Sequence, residues 1–161
     1  MIMAIDPAVE SRRLFQVHFA TRPPAPVTKA APAKTELERL LDQGDNQFFQ
    51  GKYVDAKASY HEVLEKNDPQ NERAIYGLGV VYANLRKPDL AEEYFQKALA
   101  TAHDLRIGTW SHIYLGRLDD LNGKRDAALA QYHAASITAA AYPMALRAAQ
   151  SGMEVPFGSR Q

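Results

Sequence analysis

The sequence predicts an all-α protein made of stacked helical hairpins. The stretch AIYGLGVVYANLRKPDLAEEYFQKAL, Ala74 to Leu99, places small residues between large aliphatic and aromatic ones at helical spacing. The same order of small and large residues occurs before this stretch and again after it. Gly44, Gly79 and Gly116 mark the recurrence, at intervals of 35 and 37 residues. A period in this range is typical of arrays in which each hairpin buries its apolar face against the next.

Small residues also recur where the two helices of a hairpin must touch. Ala91 and Ala98 hold such positions in the second repeat, and Ala128 and Ala135 hold them in the third. Helices approach to about 8–10 Å only where the contacting side chains are small. We therefore expect these four alanines to be buried between paired helices.

This pattern resembles the tetratricopeptide repeat, a helix-turn-helix unit defined by small and large positions. The resemblance covers about residues 36 to 139. It implies a domain over residues 35–152, a right-handed α-solenoid of three hairpins followed by a capping helix, and then a tail. The hairpins are placed at about residues 36–69, 71–102 and 109–139, the capping helix at 142–152 and the tail at 153–161.

Several residues are typical of helix ends. Thr35 with Glu38 forms a capping box, which joins two otherwise unpaired backbone donors to side chains. Asn71 is a second N-cap, and Pro88 suits a first helical turn because its missing N–H is not needed there. Gly123 follows Asn122 in a hairpin turn. For the capping helix, the sequence predicts a start at Pro143 and an end at Gly152.

An extended arm is predicted before the repeats, at residues 1–20. Its segment 14–19 alternates apolar and polar residues, the period of a strand with one apolar face; the apolar residues are Leu14, Phe15, Val17 and Phe19. A proline-rich spacer over residues 21–34 follows and would reach about 40 Å if extended. The alternative is a leader without a fixed partner.

Composition excludes several functional classes. The chain of 161 residues has no cysteine, which removes disulfides and thiolate chemistry, and its formal net charge is zero. The excess of basic residues in the first 35 residues is too small to indicate nucleic-acid binding. No apolar run approaches the roughly 20 residues of a membrane-spanning helix. No export signal is recognisable, so the default compartment is the cytoplasm, and a processed chain would be periplasmic or extracellular.

No motif indicates catalysis. His61-Glu62 begins like a zinc-protease motif, but Glu65 stands where the second histidine is required. Neither a glycine-rich phosphate loop nor a nucleophile elbow occurs. We therefore expect no enzyme activity, no catalytic residues, no metal site and no cofactor.

The family resemblance implies a concave groove lined by the first helix of each hairpin. The groove residues would be Leu41, Asp45, Phe48, Tyr76, Val80, Asn84, Trp110, Ile113, Arg117 and Asp120. The alternative is that the apolar members are inter-repeat core. Trp110, placed in the lengthened link before the third repeat, either anchors a partner or seals two hairpins. Of the positions that bind the acidic C-terminus of chaperones in related proteins, only Arg117 fits, which argues against that ligand.

These features predict a non-enzymatic scaffold that binds protein. The groove would receive an apolar peptide segment. In one form of this hypothesis, the arm of one copy docks on the repeats of the next, giving a homo-oligomeric ring or filament. The alternative is a regulatory or substrate-positioning module of a larger enzyme or secretion complex.

Overall fold

The structure is a computed structural model that describes residues 33–159. The predicted arm, with Leu14, Phe15, Val17 and Phe19, and nearly all of the predicted spacer lie outside the described residues. Within residues 33–159 the chain is all-α, contains no strand, and forms seven α-helices. These are α1 Glu36–Phe49, α2 Tyr53–Lys66, α3 Glu72–Asn84, α4 Pro88–Thr101, α5 Leu105–Leu121, α6 Arg125–Thr138 and α7 Pro143–Glu154. One turn of 3₁₀-helix, Ala139–Ala141, joins α6 to α7.

The helices pack in chain order as a solenoid. The pairs α1–α2, α3–α4 and α5–α6 form three hairpins, and each hairpin contacts the next through α2–α3 and α4–α5. The first helices of successive hairpins also touch, α1 with α3 and α3 with α5. The last helix, α7, packs against α5 and α6, as α3 packs against α1 and α2. The all-α solenoid expected from the repeat is confirmed.

The predicted helix starts are present. Thr35 and Glu38 form the reciprocal capping box, with the Glu38 carboxylate 2.7 Å from the Thr35 amide. The Asn71 side chain accepts a hydrogen bond from the Ala74 amide, and Pro88 opens α4. Local sequence therefore fixes where three of the helices begin.

The three hairpin turns share one backbone conformation. Gly51 and Gly123 lie in the left-handed region, with φ of +73° and +71°. Arg86 occupies the corresponding place in the second turn, with φ of +56°. A side chain in this region is strained relative to glycine, because its Cβ crowds the following carbonyl oxygen.

The alanines that define the repeat lie between the paired helices. Ala91, Ala98, Ala128 and Ala135 have no exposed surface. Larger buried side chains fill the space beside them, among them Phe95. The expected helix contacts are therefore confirmed.

The link before the third hairpin is shorter than predicted. Residues 105–112 are not a connection but the first two turns of α5, so Trp110 is helical and the third hairpin begins before residue 109. Asp104 caps the helix by accepting a hydrogen bond from the Arg106 amide at 2.8 Å. The apolar spacing explains the early start, since Ile107, Trp110 and Tyr114 follow one another at helical intervals of three and four.

Gly152 does not end the last helix, which continues to Glu154. The glycine is buried inside α7, where a Cβ atom would lie only 2.5 Å from the ring of Tyr132. The residue therefore allows a close approach of two helices, and the helix ends instead before Pro156, which disfavours the helical conformation at Val155.

None of the helices in the described part of the chain combines the length and apolar character needed to cross a membrane.

Candidate functional site

An open cavity of about 360 Å³ lies on the face formed by the first helices of the hairpins, α1, α3 and α5. We call this cavity the groove. Five of the predicted site residues line it, and they come from all three helices: Asp45, Phe48, Tyr76, Val80 and Trp110. The repeat therefore brings together residues that are up to 65 positions apart in the chain.

Aromatic rings form the centre of the groove wall. The ring centre of Tyr114 lies 6.4 Å from those of both Tyr76 and Trp110. Beneath them, Phe95 of α4 stacks on Tyr114 at 4.8 Å with the ring planes 8° apart. Burial raises the pKa of both Tyr76 and Tyr114, so each hydroxyl stays neutral at physiological pH. The wall thus presents uncharged, flat surfaces to the groove.

The apolar wall extends to the end of α1. Phe48 packs against Tyr53 at 5.4 Å between ring centres, and its neighbour Phe49 is 83% exposed. The rings of Phe48 and Phe49 are 5.9 Å apart in an edge-to-face arrangement. A large exposed ring beside a packed one gives this end of the groove an accessible apolar surface.

A charged cluster borders the groove where α1 meets α3. Arg73 donates to Asp42 at 2.9 Å and also to Asp45, and the Tyr60 hydroxyl donates to Asp45 at 2.6 Å. The Asp45 and Arg73 side chains stay 34% and 42% exposed. Hydrogen bonds from Lys34 and Arg73 hold the pKa of Asp42 below its ordinary value. The cluster is charged, partly satisfied and open to solvent.

Helix geometry explains why these groups converge. Arg73, Tyr76 and Val80 follow one another at spacings of three and four in α3, which places them on one helix face. Arg106, Trp110 and Tyr114 do the same in α5, at spacings of four. Because α1, α3 and α5 lie side by side, each helix adds one such row to a common surface.

Two of the predicted groove residues belong to the core. Ile113 has no exposed surface and packs with the buried residues of α6 and α7, and Leu41 is buried in the cluster beneath the first two hairpins. For these two residues the structure favours the alternative, that apolar members of the predicted set are inter-repeat core. Both are fully apolar, and the adjoining helices cover them.

The other predicted residues lie away from the groove. Asn84 stands at the end of α3, where its side chain donates to the Val80 carbonyl at 2.8 Å. Arg117 and Asp120 lie near the end of α5, beside the segment that follows α7. Asp120 has no exposed side-chain surface, so its assignment to an open groove is wrong.

Asp120 is the centre of a second cluster. It accepts hydrogen bonds from the Arg125 guanidinium at 2.9 Å, the Tyr132 hydroxyl at 2.9 Å and the Phe157 amide at 2.8 Å. Burial raises its pKa, but these hydrogen bonds outweigh burial and leave the pKa below its ordinary value. The Arg117 guanidinium lies between two rings, 5.3 Å from Tyr114 and 5.0 Å from Phe157.

The groove also contains residues that the sequence analysis did not identify. They are Phe49, Tyr60, Arg73, Gly77, Arg106, Ile107 and Tyr114. The positions of Arg73 and Tyr114 in the groove were predictable from helical spacing, because Arg73 lies one turn before Tyr76 and Tyr114 lies one turn after Trp110. The position of Tyr60 was not predictable in this way, because it comes from the second helix of a hairpin and reaches the groove between α1 and α3.

Among residues 33–159, no group of three or more histidine, aspartate or glutamate side chains is arranged to hold a metal ion. The groove offers an aromatic wall, accessible apolar side chains and an exposed ion-pair cluster. Such a surface can bind another polypeptide by burying apolar area, with the charged groups fixing its orientation.

The stacked hairpins, the buried small residues and the groove on the first helices define a helical repeat protein. Residues 41–104 match the model of the tetratricopeptide repeat family, a span that runs from α1 to the end of the second hairpin. Residues 41–104 therefore form a tetratricopeptide repeat region, and the third hairpin continues the stacking beyond it. No curated protein matches the chain.

Proposed function

We propose that this chain is a non-enzymatic scaffold that binds an apolar peptide segment in its groove. Tetratricopeptide repeats are in general protein-interaction modules. The observation that carries the proposal is the open groove of about 360 Å³, lined by aromatic rings and bordered by the exposed cluster of Asp45 and Arg73.

The groove favours an extended segment with large apolar side chains. Tyrosine and tryptophan bury much area and lose few rotamers, which makes Tyr76 and Trp110 suitable anchors. Asp45 keeps exposed carboxylate surface that can accept a backbone N–H from a bound segment. Apolar contacts would then supply affinity, and the carboxylate would set the register of the segment.

The proposal has a self-assembling form, in which the bound segment is the arm of a second copy. Its residues Phe15, Val17 and Phe19 alternate with polar residues. In an extended chain, alternate side chains lie on one face at intervals of about 7 Å. Such a head-to-tail contact produces rings or filaments, depending on whether the rotation closes.

Trp110 is the only tryptophan in the chain and lines the groove, so its emission can report binding. The receptor is the full chain with Phe15→Asp and Phe19→Asp, whose own arm cannot compete. The ligand is a synthetic peptide of residues 11–20, which lacks tryptophan. We expect a saturable change in emission, and no change with a peptide that carries the same two aspartates.

Two exposed residues provide a matched pair of receptor variants. Phe49→Asp places a charge in the groove wall, whereas Ile137→Asp places one on α6, outside the groove, at similar exposure (83% and 81%). We expect Phe49→Asp to weaken peptide binding at least about tenfold, since a charge replaces buried apolar area. Equal affinities for the two variants would contradict the proposed groove.

Light scattering tests the self-assembling form separately. The unsubstituted chain should exceed its monomer mass of 17.9 kDa, and both the arm variant and Phe49→Asp should return it to the monomer. The Ile137→Asp chain should assemble normally. A monomeric unsubstituted chain that still binds the peptide would refute self-assembly and retain the groove.

A further inference from the structure

The segment that follows α7 lies across the far end of α5. Its backbone leaves the helix at Val155 in an extended conformation, with φ of −133° and ψ of 127°. The Phe157 amide donates to Asp120 at 2.8 Å, and the Phe157 ring lies over the Arg117 guanidinium at 5.0 Å. Gly158 rests against the side chain of Leu121. Residues 155–159, which we call the C-terminal segment, therefore sit on α5 as a ligand would.

The surface below the C-terminal segment is preorganised. The side chain of Asp120 has no exposed surface and is held by Arg125 and Tyr132, so its carboxylate is fixed in place. Arg125 also donates to the carbonyls of Gly152 and Met153, at 2.8 and 2.7 Å. These bonds fix the end of α7 independently of the residues that follow it.

The C-terminal segment itself is held by few contacts. Phe157 is 45% exposed and Val155 is 41% exposed, and the Ser159 amide and hydroxyl bond only to the carbonyl of Pro156 within the segment. One amide hydrogen bond, one ring on a guanidinium and one glycine contact join it to α5. A segment with such a small contact can be exchanged for another of the same chemistry.

The chemistry of the ligand follows from the residues that occupy the site. Pro156 has no N–H and favours an extended residue before it, so Phe157 is the first residue of the turn that can donate to Asp120. The following aromatic ring covers Arg117, an arrangement that is favourable because the ring face is negative. Gly158, with φ of +81°, allows the chain to turn away over Leu121.

We propose that Arg117, Asp120 and Leu121 form a second peptide-binding site, now occupied by the C-terminal segment, that takes a Pro-aromatic-Gly turn from a partner polypeptide. The site adjoins the groove, since Arg117 lies between Phe157 and the groove residue Tyr114. Release of the C-terminal segment would expose this site and lengthen the surface available to a partner. The site does not depend on the groove being occupied.

The test uses the full chain and a probe peptide of residues 154–159 with blocked ends. The receptor is the Phe157→Ala chain, labelled with ¹⁵N, in which the ring on Arg117 is lost. We expect the probe to shift the amide signals of residues 117–122, and not the indole signal of Trp110 in the groove. Because a tethered segment competes at an effective concentration on the order of millimolar, the unsubstituted chain should bind the probe at least about tenfold more weakly.

Two altered probes separate the contributions without changing the fold of the receptor. A probe with alanine in place of phenylalanine loses the ring, and one with N-methylphenylalanine keeps the ring and loses the donor to Asp120. Both should bind at least about tenfold more weakly, since each lacks one of the two anchoring contacts. On the receptor, adding Arg117→Ala to Phe157→Ala should have a similar effect.

Three results would overturn the proposal. They are equal affinity of the probe for the Phe157→Ala and unsubstituted chains, equal affinity for the three probes, and no shift at residues 117–122 at millimolar probe. The groove peptide of residues 11–20 is titrated in parallel, so that failure at this site is distinguishable from failure of the groove.

Discussion

The first and third hairpins each hold the following helix through a tyrosine ring packed against two glycines, an arrangement that we call a joint. The two joints differ in what covers them. In the first joint, the Tyr60 ring lies against Gly44 and Gly77, and its hydroxyl donates to Asp45 at 2.6 Å. In the third hairpin, a tyrosine ring again lies against two glycines and its hydroxyl donates to an aspartate at 2.9 Å. The residues of this second joint are Tyr132, Gly116, Gly152 and Asp120.

The difference lies in the exposure of the two carboxylates. The Asp45 side chain is 34% exposed and borders the groove, whereas the Asp120 side chain has no exposed surface and is contacted by the C-terminal segment as well as by Arg125 and Tyr132. The middle hairpin has no such tyrosine–aspartate pair, because Phe95 takes the place of the tyrosine and stacks on Tyr114. The comparison shows three forms of one structural joint: open to solvent, replaced by an aromatic stack, and covered by the C-terminal segment.

The largest expected effect comes from adding a methyl group inside a joint. A Cβ atom at position 77 would lie 2.6 Å from the Tyr60 ring, which cannot retreat because it also contacts Gly44 and is bonded to Asp45. Gly77→Ala should therefore destabilise the fold by about 1–3 kcal/mol through overpacking. Gly152→Ala should have a similar cost, since its Cβ atom would lie 2.5 Å from the Tyr132 ring and Arg125 holds the end of α7. Urea denaturation measures both.

Gly108 provides the matched control. It is also a helical glycine, in α5, but an added Cβ atom would meet nothing within 4 Å. Gly108→Ala should raise the free energy of unfolding by about 0.5–1 kcal/mol, because alanine loses less backbone entropy in a helix. A loss at Gly108, or a gain at Gly77, would contradict the assignment of the joints.

A comparable effect should separate the two joints from each other. Tyr132→Phe removes a donor from a carboxylate that water does not reach, and hydrogen bonds to charged groups contribute about 1.5–3 kcal/mol. Tyr60→Phe should cost less than about 1 kcal/mol, because water can replace the lost donor at exposed Asp45. Both free energies come from urea denaturation with unchanged helix content. A larger loss for Tyr60→Phe would show that the two carboxylates are not open and closed as described.

Most of the fold could be predicted from the sequence, because its signals are local or periodic. The Thr35–Glu38 capping box, the Asn71 cap and the turn glycines act within a few residues of where they stand. The alanines recur with the period of the repeat, so their burial follows from packing alone. Family resemblance gave the stacking order and the face that the groove occupies.

The candidate site was predictable only in part, because it depends on which side of each helix its neighbours cover. Asp45 and Asp120 are both acidic residues on first helices, yet only one faces the groove. This difference in exposure comes from the C-terminal segment, whose position on α5 has no counterpart in the repeat pattern. The helix end predicted at Gly152 is wrong for a related reason, since a glycine that ends a helix and one that admits a neighbouring ring look alike in sequence.

The smallest expected effect is a difference in acid sensitivity at the closed joint. Burial raises the pKa of Asp120, and the bonds from Phe157, Arg125 and Tyr132 lower it further than burial raises it. Because the folded-state pKa lies below the unfolded value of about 4, the stabilisation is complete above that pH and is lost as pH falls through the folded-state pKa. Asp120→Asn should therefore reduce the slope of unfolding free energy against pH between about pH 5 and 2. Glu38 and Asp42, whose pKa values are also lowered, contribute to the slope in both chains. Urea denaturation across this range measures the slope, and equal slopes would mean that the carboxylate of Asp120 is not stabilised by the groups around it.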